Sequence, residues 1–144
     1  MTTPQEPRAQ LLASKDAVEM RRTEQSQYVA KVLQSGKPVP TLAIVQMIDD
    51  LVIDTYVRAK KRYGASIGVQ VDIHTIDQAD APEAINRLNA DPNVHGIIVQ
   101  LPIADTTQTQ EILELVAPTK DVDGLRRDSP FIPATPQAIM RIAG

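Results

Sequence analysis

The sequence predicts an α/β domain of three layers, a mostly parallel sheet flanked by helices. Three observations carry this expectation. Apolar runs of strand length stand at Thr41–Ile48, Val69–Ile76 and Val94–Leu101. Stretches with helical character, Leu51–Tyr63 and Ala81–Ala90, separate them. The connections are short, and a strand–helix–strand–helix–strand order with short loops gives a parallel sheet covered on both faces.

The elements follow in chain order. Residues 1–8 are polar, contain prolines and read as a flexible tail. A helix is expected from about Ser14 to Ser35, with Ser14 as N-cap. Its apolar stripe of Val18, Met20, Tyr28, Val29, Val32 and Leu33 is imperfect, and Gly36, Pro38 and Pro40 stop it. Thr41–Ile48 is a buried strand after a proline break. Asp49 and Asp50 carry acidic side chains suited to a helix N-terminus, and Leu51–Tyr63 is the helix they open. Val69–Ile76 alternates apolar and polar residues, as a second strand does. Ala81–Ala90 is the next crossover helix, Val94–Leu101 a third strand ended by Pro102, and Thr109–Val116 a short helix stopped by Pro118. From Ala117 to Pro136 the chain is irregular, and a loop of that length is usually functional or a linker. Thr135–Pro136 then pairs an N-cap with a proline at the first helical position. Gly144 comes only eight residues later, and so short a helix is marginal alone, so the expectation is a piece of a longer protein.

Composition narrows the function. The 144 residues fit one domain. Aromatic residues make up only 3%, so the core is aliphatic. A net charge of -3 provides no electrostatic footprint for nucleic acid. The absence of cysteine removes disulfides, thiolate metal sites and a cysteine nucleophile, and it fits a cytoplasmic location. No apolar run is long enough to span a bilayer, and the polar start is no signal peptide.

In a parallel sheet of this kind, ligands sit beyond the carboxyl ends of the strands, here Ile48–Leu51, Ile76–Ala79 and Gln100–Pro102. Tyr56 and Lys60 are four residues apart and share a face of the helix leaving the first strand. On spacing alone, Lys60 reads first as a snorkelling lysine on a solvated basic helix. Gln100 closes the third strand in V-Q-L-P; its amide can donate and accept at once, or simply end a strand before proline. Asp121 and Asp123 alternate in K-D-V-D-G, so one can face a ligand while the other faces water or a backbone amide. An Asp-Gly turn is the plainer reading. His74 and His95 are each solitary and suggest no metal site. None of the six glycines has the spacing of a dinucleotide or phosphate loop, so no cofactor-binding residue is legible.

Taken together, Y-V-R-A-K at 56–60, L-N-A-D-P-N-V-H-G-I-I-V-Q-L-P-I at 88–103, A-P-T-K-D-V-D-G at 117–124 and P-A-T-P at 133–136 resemble the methylenetetrahydrofolate dehydrogenase/cyclohydrolase family. The match runs over roughly Ala9 to Met140. It implies an enzyme of one-carbon metabolism, upstream of purine biosynthesis. That enzyme oxidises 5,10-methylenetetrahydrofolate with NADP or NAD, then hydrolyses the 5,10-methenyl product to 10-formyltetrahydrofolate. By the same resemblance Lys60 is the catalytic lysine, Gln100 its supporting amide, Tyr56 a stacking face for the substrate and Asp123 the pterin-binding carboxylate. Residues 9–135 would form the folate-binding catalytic domain. Residues 136–144 would begin a helix leading to a Rossmann-type nucleotide-binding domain, which is expected to be lacking from this chain. NADP or NAD therefore belongs to the parent protein, with none expected on this piece. Tetrahydrofolate derivatives are the implied ligands and a homodimer the implied parent assembly.

The sequence departs from the family pattern in places. After the first strand, Ile48, Leu51 and Ile53 stand where the family has glycine, proline and serine, and bulky residues there are expected to crowd the cleft. The Asn-Ala-Gly segment expected soon after D-V-D-G is replaced by Arg126-Arg127-Asp128-Ser129, and the family's P-C-T-P is Pro133-Ala134-Thr135-Pro136. Two competing expectations follow: a catalytically impaired folate-binding or interaction module, and an α/β protein that keeps only the inherited fold.

Overall fold

A computed structural model describes residues 7–127, the side chains of residues 7–14 excepted. In chain order the elements are α1 (Pro7–Gln34), β1 (Thr41–Gln46), α2 (Leu51–Ile67), β2 (Gln70–Thr75), α3 (Ala81–Ala90), β3 (Gly96–Val99) and α4 (Thr109–Leu113). Short 3-10 turns occupy Gln78–Asp80, Thr106–Gln108 and Pro118–Lys120.

The sheet has the order β2-β1-β3, and both pairings are parallel. Thr41 is in register with Gln70 and Leu42 with Gly96. The central strand is the driest part of the molecule: Ala43, Ile44 and Val45 are fully buried. Its side chains alternate between two cores, as a pleated strand requires. Ile44 packs with Ile53 and Val57 of α2 and with Val71 of β2. Ala43 and Val45 face the other way, into a cluster with Ile85 of α3, Ile97 of β3, Ile103 and Ile112 of α4. Each fully buried aliphatic side chain of this kind contributes about 1.5–3 kcal/mol relative to exposure. The three-layer α/β architecture expected from the sequence is thus present.

Two boundary expectations are corrected. Helix α1 starts at Pro7, not at Ser14, so Pro7 and Arg8 are helical rather than part of a tail. Proline is tolerated in the first turn because its missing N–H would have no partner there. The remainder of the tail, and the helix expected from Pro136, lie outside the described residues. Strands β1 and β3 are shorter than the apolar runs that announced them. The ladder ends where Gln100 N donates to Val45 O (2.9 Å) and Ile76 N to Gln46 O (2.9 Å). Beyond it Met47 stays buried and Leu101 packs on the core without pairing. Hydrophobicity reports burial, and burial outlasts pairing.

Helix α2 carries the candidate site, and its ends explain its position. The Asp50 carboxylate accepts from Val52 N (2.8 Å) and Ile53 N (3.2 Å), satisfying two of the first-turn donors. At the other end Gly68 adopts φ +87°, a left-handed conformation that suits glycine, and Val69 N returns to Gly64 O (2.9 Å). Asp49–Asp50 therefore opens the helix as expected, but α2 runs one turn past Tyr63, to Ile67. Gly64 lets it lie close on β2: a Cβ there would stand 2.5 Å from Val71 Cγ2.

Candidate active-site cleft

Two of the four residues singled out for chemistry, Lys60 and Asp123, line one cleft, and Gln100 is joined to it through Lys60. Lys60 projects from the middle of α2, and Gln100 follows β3 directly. The Lys60 Nζ donates to Gln100 Oε1 at 3.0 Å. The Gln100 Nε2 donates in turn to Leu101 O at 3.0 Å. That second bond fixes which end of the amide faces the lysine, because only the oxygen is left to accept. Lys60 remains exposed, so the pair is open to a ligand.

Asp123 lies on the opposite wall. The cleft, of ≈ 1000 Å³, has Leu42 and Ile98 on its floor, Lys60 and Tyr63 on the α2 side, and Val122 and Asp123 across from them. It extends past Thr41, Val69 and Gly96 at the starts of the strands, and none of the residues at the carboxyl ends where the sequence placed a ligand lines it. Burial pushes the Asp123 carboxyl above its ordinary value; the positive charge of Lys60 acts against this, and the nearby Asp121 adds to it. Gly96 brings this wall close, since a Cβ at Gly96 would stand 3.0 Å from both Leu42 Cδ1 and Val122 Cγ1.

Asp121 and Asp123 divide their roles. Asp121 is buried and accepts from Arg126 N through Oδ2 (3.0 Å), while Asp123 faces the cleft. The geometry behind the division is the Asp-Gly turn that the sequence offered as the plainer reading, not the extended segment. Gly124 N closes a turn onto Asp121 O (3.2 Å), and Gly124 has φ +68°. A turn, not strand alternation, sends the two carboxylates apart.

Tyr56 is placed differently. It sits one turn before Lys60 on α2, is 60% exposed, and does not line the cleft. Tyr63, which the sequence did not single out, does line it. Its hydroxyl is 2.5 Å from Gln25 Oε1 and the Arg22 guanidinium lies 5.6 Å from its ring centroid. An i, i+3 relation to Lys60 was the available signal. The bulky departures do not crowd this cleft. Ile53 is buried in the core beneath α2, Ile48 packs on the same core, and Leu51 is 85% exposed. His95 accepts from Thr41 N through Nδ1 (3.0 Å), a structural contact at the start of β1. Among the described residues no three His, Asp or Glu side chains converge as a metal site would need, and no helix is long and apolar enough to cross a membrane. A second groove, of ≈ 1060 Å³, runs beside α1 past Met20 and Tyr28, and none of Lys60, Gln100 and Asp123 lines it.

The domain is thus a parallel α/β domain in which a lysine and a half-buried carboxylate line one cleft, with an amide holding the lysine. Comparison with known proteins makes this specific. Residues 12–123 match the family described as tetrahydrofolate dehydrogenase/cyclohydrolase, catalytic domain. The bifunctional protein FolD of Geobacillus thermodenitrificans is 32% identical over 145 residues, covering 92% of this chain and 51% of that protein. FolD 2 of Haloarcula marismortui is 37% identical over 123 residues, covering 76% of this chain and 41% of that protein. Among solved structures, the Campylobacter jejuni bifunctional enzyme FolD superposes with a TM-score of 0.81 at 28% identity, covering 88% of this chain and 50% of that one. The 5,10-methylenetetrahydrofolate dehydrogenase of the silkworm Bombyx mori gives 0.80 at 30% identity, covering 88% and 48%. The chain belongs to the tetrahydrofolate dehydrogenase/cyclohydrolase family, within its catalytic domain. It spans about half the length of the relatives it matches.

Proposed function

We propose that the cleft binds a reduced folate and that Lys60 and Gln100 serve the hydrolysis of 5,10-methenyltetrahydrofolate to 10-formyltetrahydrofolate. The observation that carries this reading is that Lys60, held by Gln100 at 3.0 Å, lines the same cleft as Asp123. The methenyl carbon is part of a delocalised cation and is already electrophilic. It needs a water, a proton acceptor and a fixed pose. In the proposed reaction the substrate's positive charge favours loss of the Lys60 proton, water adds to that carbon, and Lys60 takes the water's proton. The carbon–N5 bond then breaks, N5 takes a proton, and the added oxygen becomes the formyl carbonyl. Gln100 holds the lysine in line. Ionised Asp123 accepts two hydrogen bonds from the pterin N–H and amino groups and fixes the ring. Tyr56, exposed one turn before Lys60, offers a flat face to the part of the substrate that extends out of the cleft.

The whole-protein activity proposed is the family's pair: NADP- or NAD-dependent oxidation of 5,10-methylenetetrahydrofolate followed by this hydrolysis, in a cytoplasmic homodimer. The described residues do not fit a dinucleotide. Of the glycines with positive φ, Gly36 and Gly68 follow helix C-termini and Gly124 sits in the Asp121 turn, so none opens a helix under a pyrophosphate. No hydride step is therefore assigned to them. The alternative of a site closed by Ile48, Leu51 and Ile53 is not favoured, because none of the three lines the cleft.

The test is a calorimetric titration with a stable folate analogue, run beside Asp123→Ala, followed by a methenyl-hydrolysis assay run beside Lys60→Ala. Binding lost in the first variant and turnover lost in the second is the expected result. Binding unaffected by Asp123→Ala would sink the pterin site.

A further inference from the structure

Arg126 stands where the family resemblance led us to expect an uncharged segment, and its surroundings are specific. Its guanidinium Nη1 donates to two carbonyls just after α4, those of Glu114 and Val116, the latter at 2.7 Å. Its Nη2 pairs with the Glu114 carboxylate at 3.2 Å, and the arginine side chain is only 12% exposed. The same Glu114 carboxylate accepts from Arg127 N (3.2 Å) and from Gln110 Nε2 (2.7 Å). At its other end Arg126 uses its backbone N–H to hold the buried Asp121 carboxylate at 3.0 Å. A planar guanidinium on carbonyls left unpaired at a helix end is a strong, directional anchor. Between this anchor and Asp121 lie only Val122, Asp123, Gly124 and Leu125.

We propose that Arg126 is a positioning residue for the cleft: clamped on the end of α4, it holds the 121–125 turn so that the Asp123 carboxylate faces Lys60. Arg126 lines no part of the cleft and acts through Asp123. The proposal rests on the reading of Asp123 as the ligand-facing carboxylate.

The test compares Arg126→Met, Glu114→Gln and Asp123→Asn with the unmodified chain. The first readout is the carbon-13 NMR titration of the Asp123 carboxyl, with melting temperature recorded alongside. A clamped, half-buried Asp123 titrates above its ordinary value; in Arg126→Met the freed turn lets it into water and the midpoint falls toward that value. An unchanged midpoint in a folded Arg126→Met overturns the proposal. If Arg126→Met does not fold, Glu114→Gln decides: it removes the charged partner that seats the guanidinium and so loosens the clamp. A downward shift there supports the proposal and no shift overturns it. The second readout is calorimetric binding of a folate analogue. Arg126→Met is expected to weaken it about tenfold when Asp123 is present and not at all in the Asp123→Asn background. Equal weakening in both backgrounds assigns Arg126 a general structural role and overturns the proposal. Failure of the unmodified chain to bind any folate sinks the pterin reading alone, and the Asp123 titration then still decides the role of Arg126.

Discussion

The Lys60 side chain and the Gln100 amide meet at 3.0 Å although forty residues separate them, and the amide's own N–H₂ group is tied to the next carbonyl in the chain. The lysine is thus aimed by a group that cannot turn away without losing its own partner. Gln100→Leu removes the aim and keeps the volume. Turnover of the methenyl substrate is expected to fall by about 10- to 100-fold, while the thermal midpoint reports a stability change of about 1 kcal/mol or less. A variant with unchanged turnover would remove Gln100 from the mechanism.

Asp123 sets a pH dependence. Its folded-state pKa is raised, so the native state binds this proton more tightly than the unfolded chain does. Stability from this group therefore falls as pH rises through the folded value, and the effect is absent below the ordinary carboxylate range. Asp123→Asn is expected to melt higher than the unmodified chain at neutral pH, and the gap should close on acidification through that window. Ligand binding runs the opposite way, because the ionised carboxylate is the acceptor. Affinity for a folate analogue should weaken as pH falls, beginning above the ordinary carboxylate range. Melting curves and calorimetry over a pH series check both signs.

Gly64→Ala pits helix propensity against packing. Alanine is favoured over glycine inside a helix by about 1 kcal/mol. Here its Cβ would stand 2.5 Å from Val71 Cγ2 and 3.3 Å from Val69 O, so α2 or β2 must shift. Overpacking costs about 1–3 kcal/mol, and the expected outcome is a net loss of stability, read by denaturant unfolding. A stabilised variant would show that α2 does not pack this closely on the sheet.

Asp50→Ala removes two capping bonds at the start of α2. The expected loss is about 1 kcal/mol. Asp50→Asn should recover most of it, since an amide oxygen caps as well. Chemical denaturation of the three proteins decides.

The fold was readable because its signals are local. Ala81–Ala90 has the bounds that periodicity and Pro82 imply, and Asp50 caps α2 as its position suggests. The start of α1 was misplaced because Ser14 has the chemistry of a cap, and nothing in the sequence says that the helix has already begun at Pro7. The site was less legible. Lys60 and Gln100 lie on different elements, and on spacing alone Lys60 read as a solvated lysine; only the resemblance joined them. The different roles of Asp121 and Asp123 were anticipated from an extended segment, whereas the Asp-Gly turn, offered as the plainer reading, is what separates them. Arg126 and Glu114 left no signal, because a guanidinium seated on helix-end carbonyls has no periodicity and no fixed spacing.

The sheet has a consequence for how the molecule assembles. Each of its two pairings joins strands separated by a whole crossover: Thr41 meets Gln70 across α2, and Leu42 meets Gly96 across both α2 and α3. Among the described residues there is no hairpin from which pairing can begin, so this sheet closes a long loop before any of its ladder bonds forms. Helices will therefore lead and strands follow in refolding, and the amides of Ala43 to Val45 are expected to exchange with solvent only when the whole domain opens.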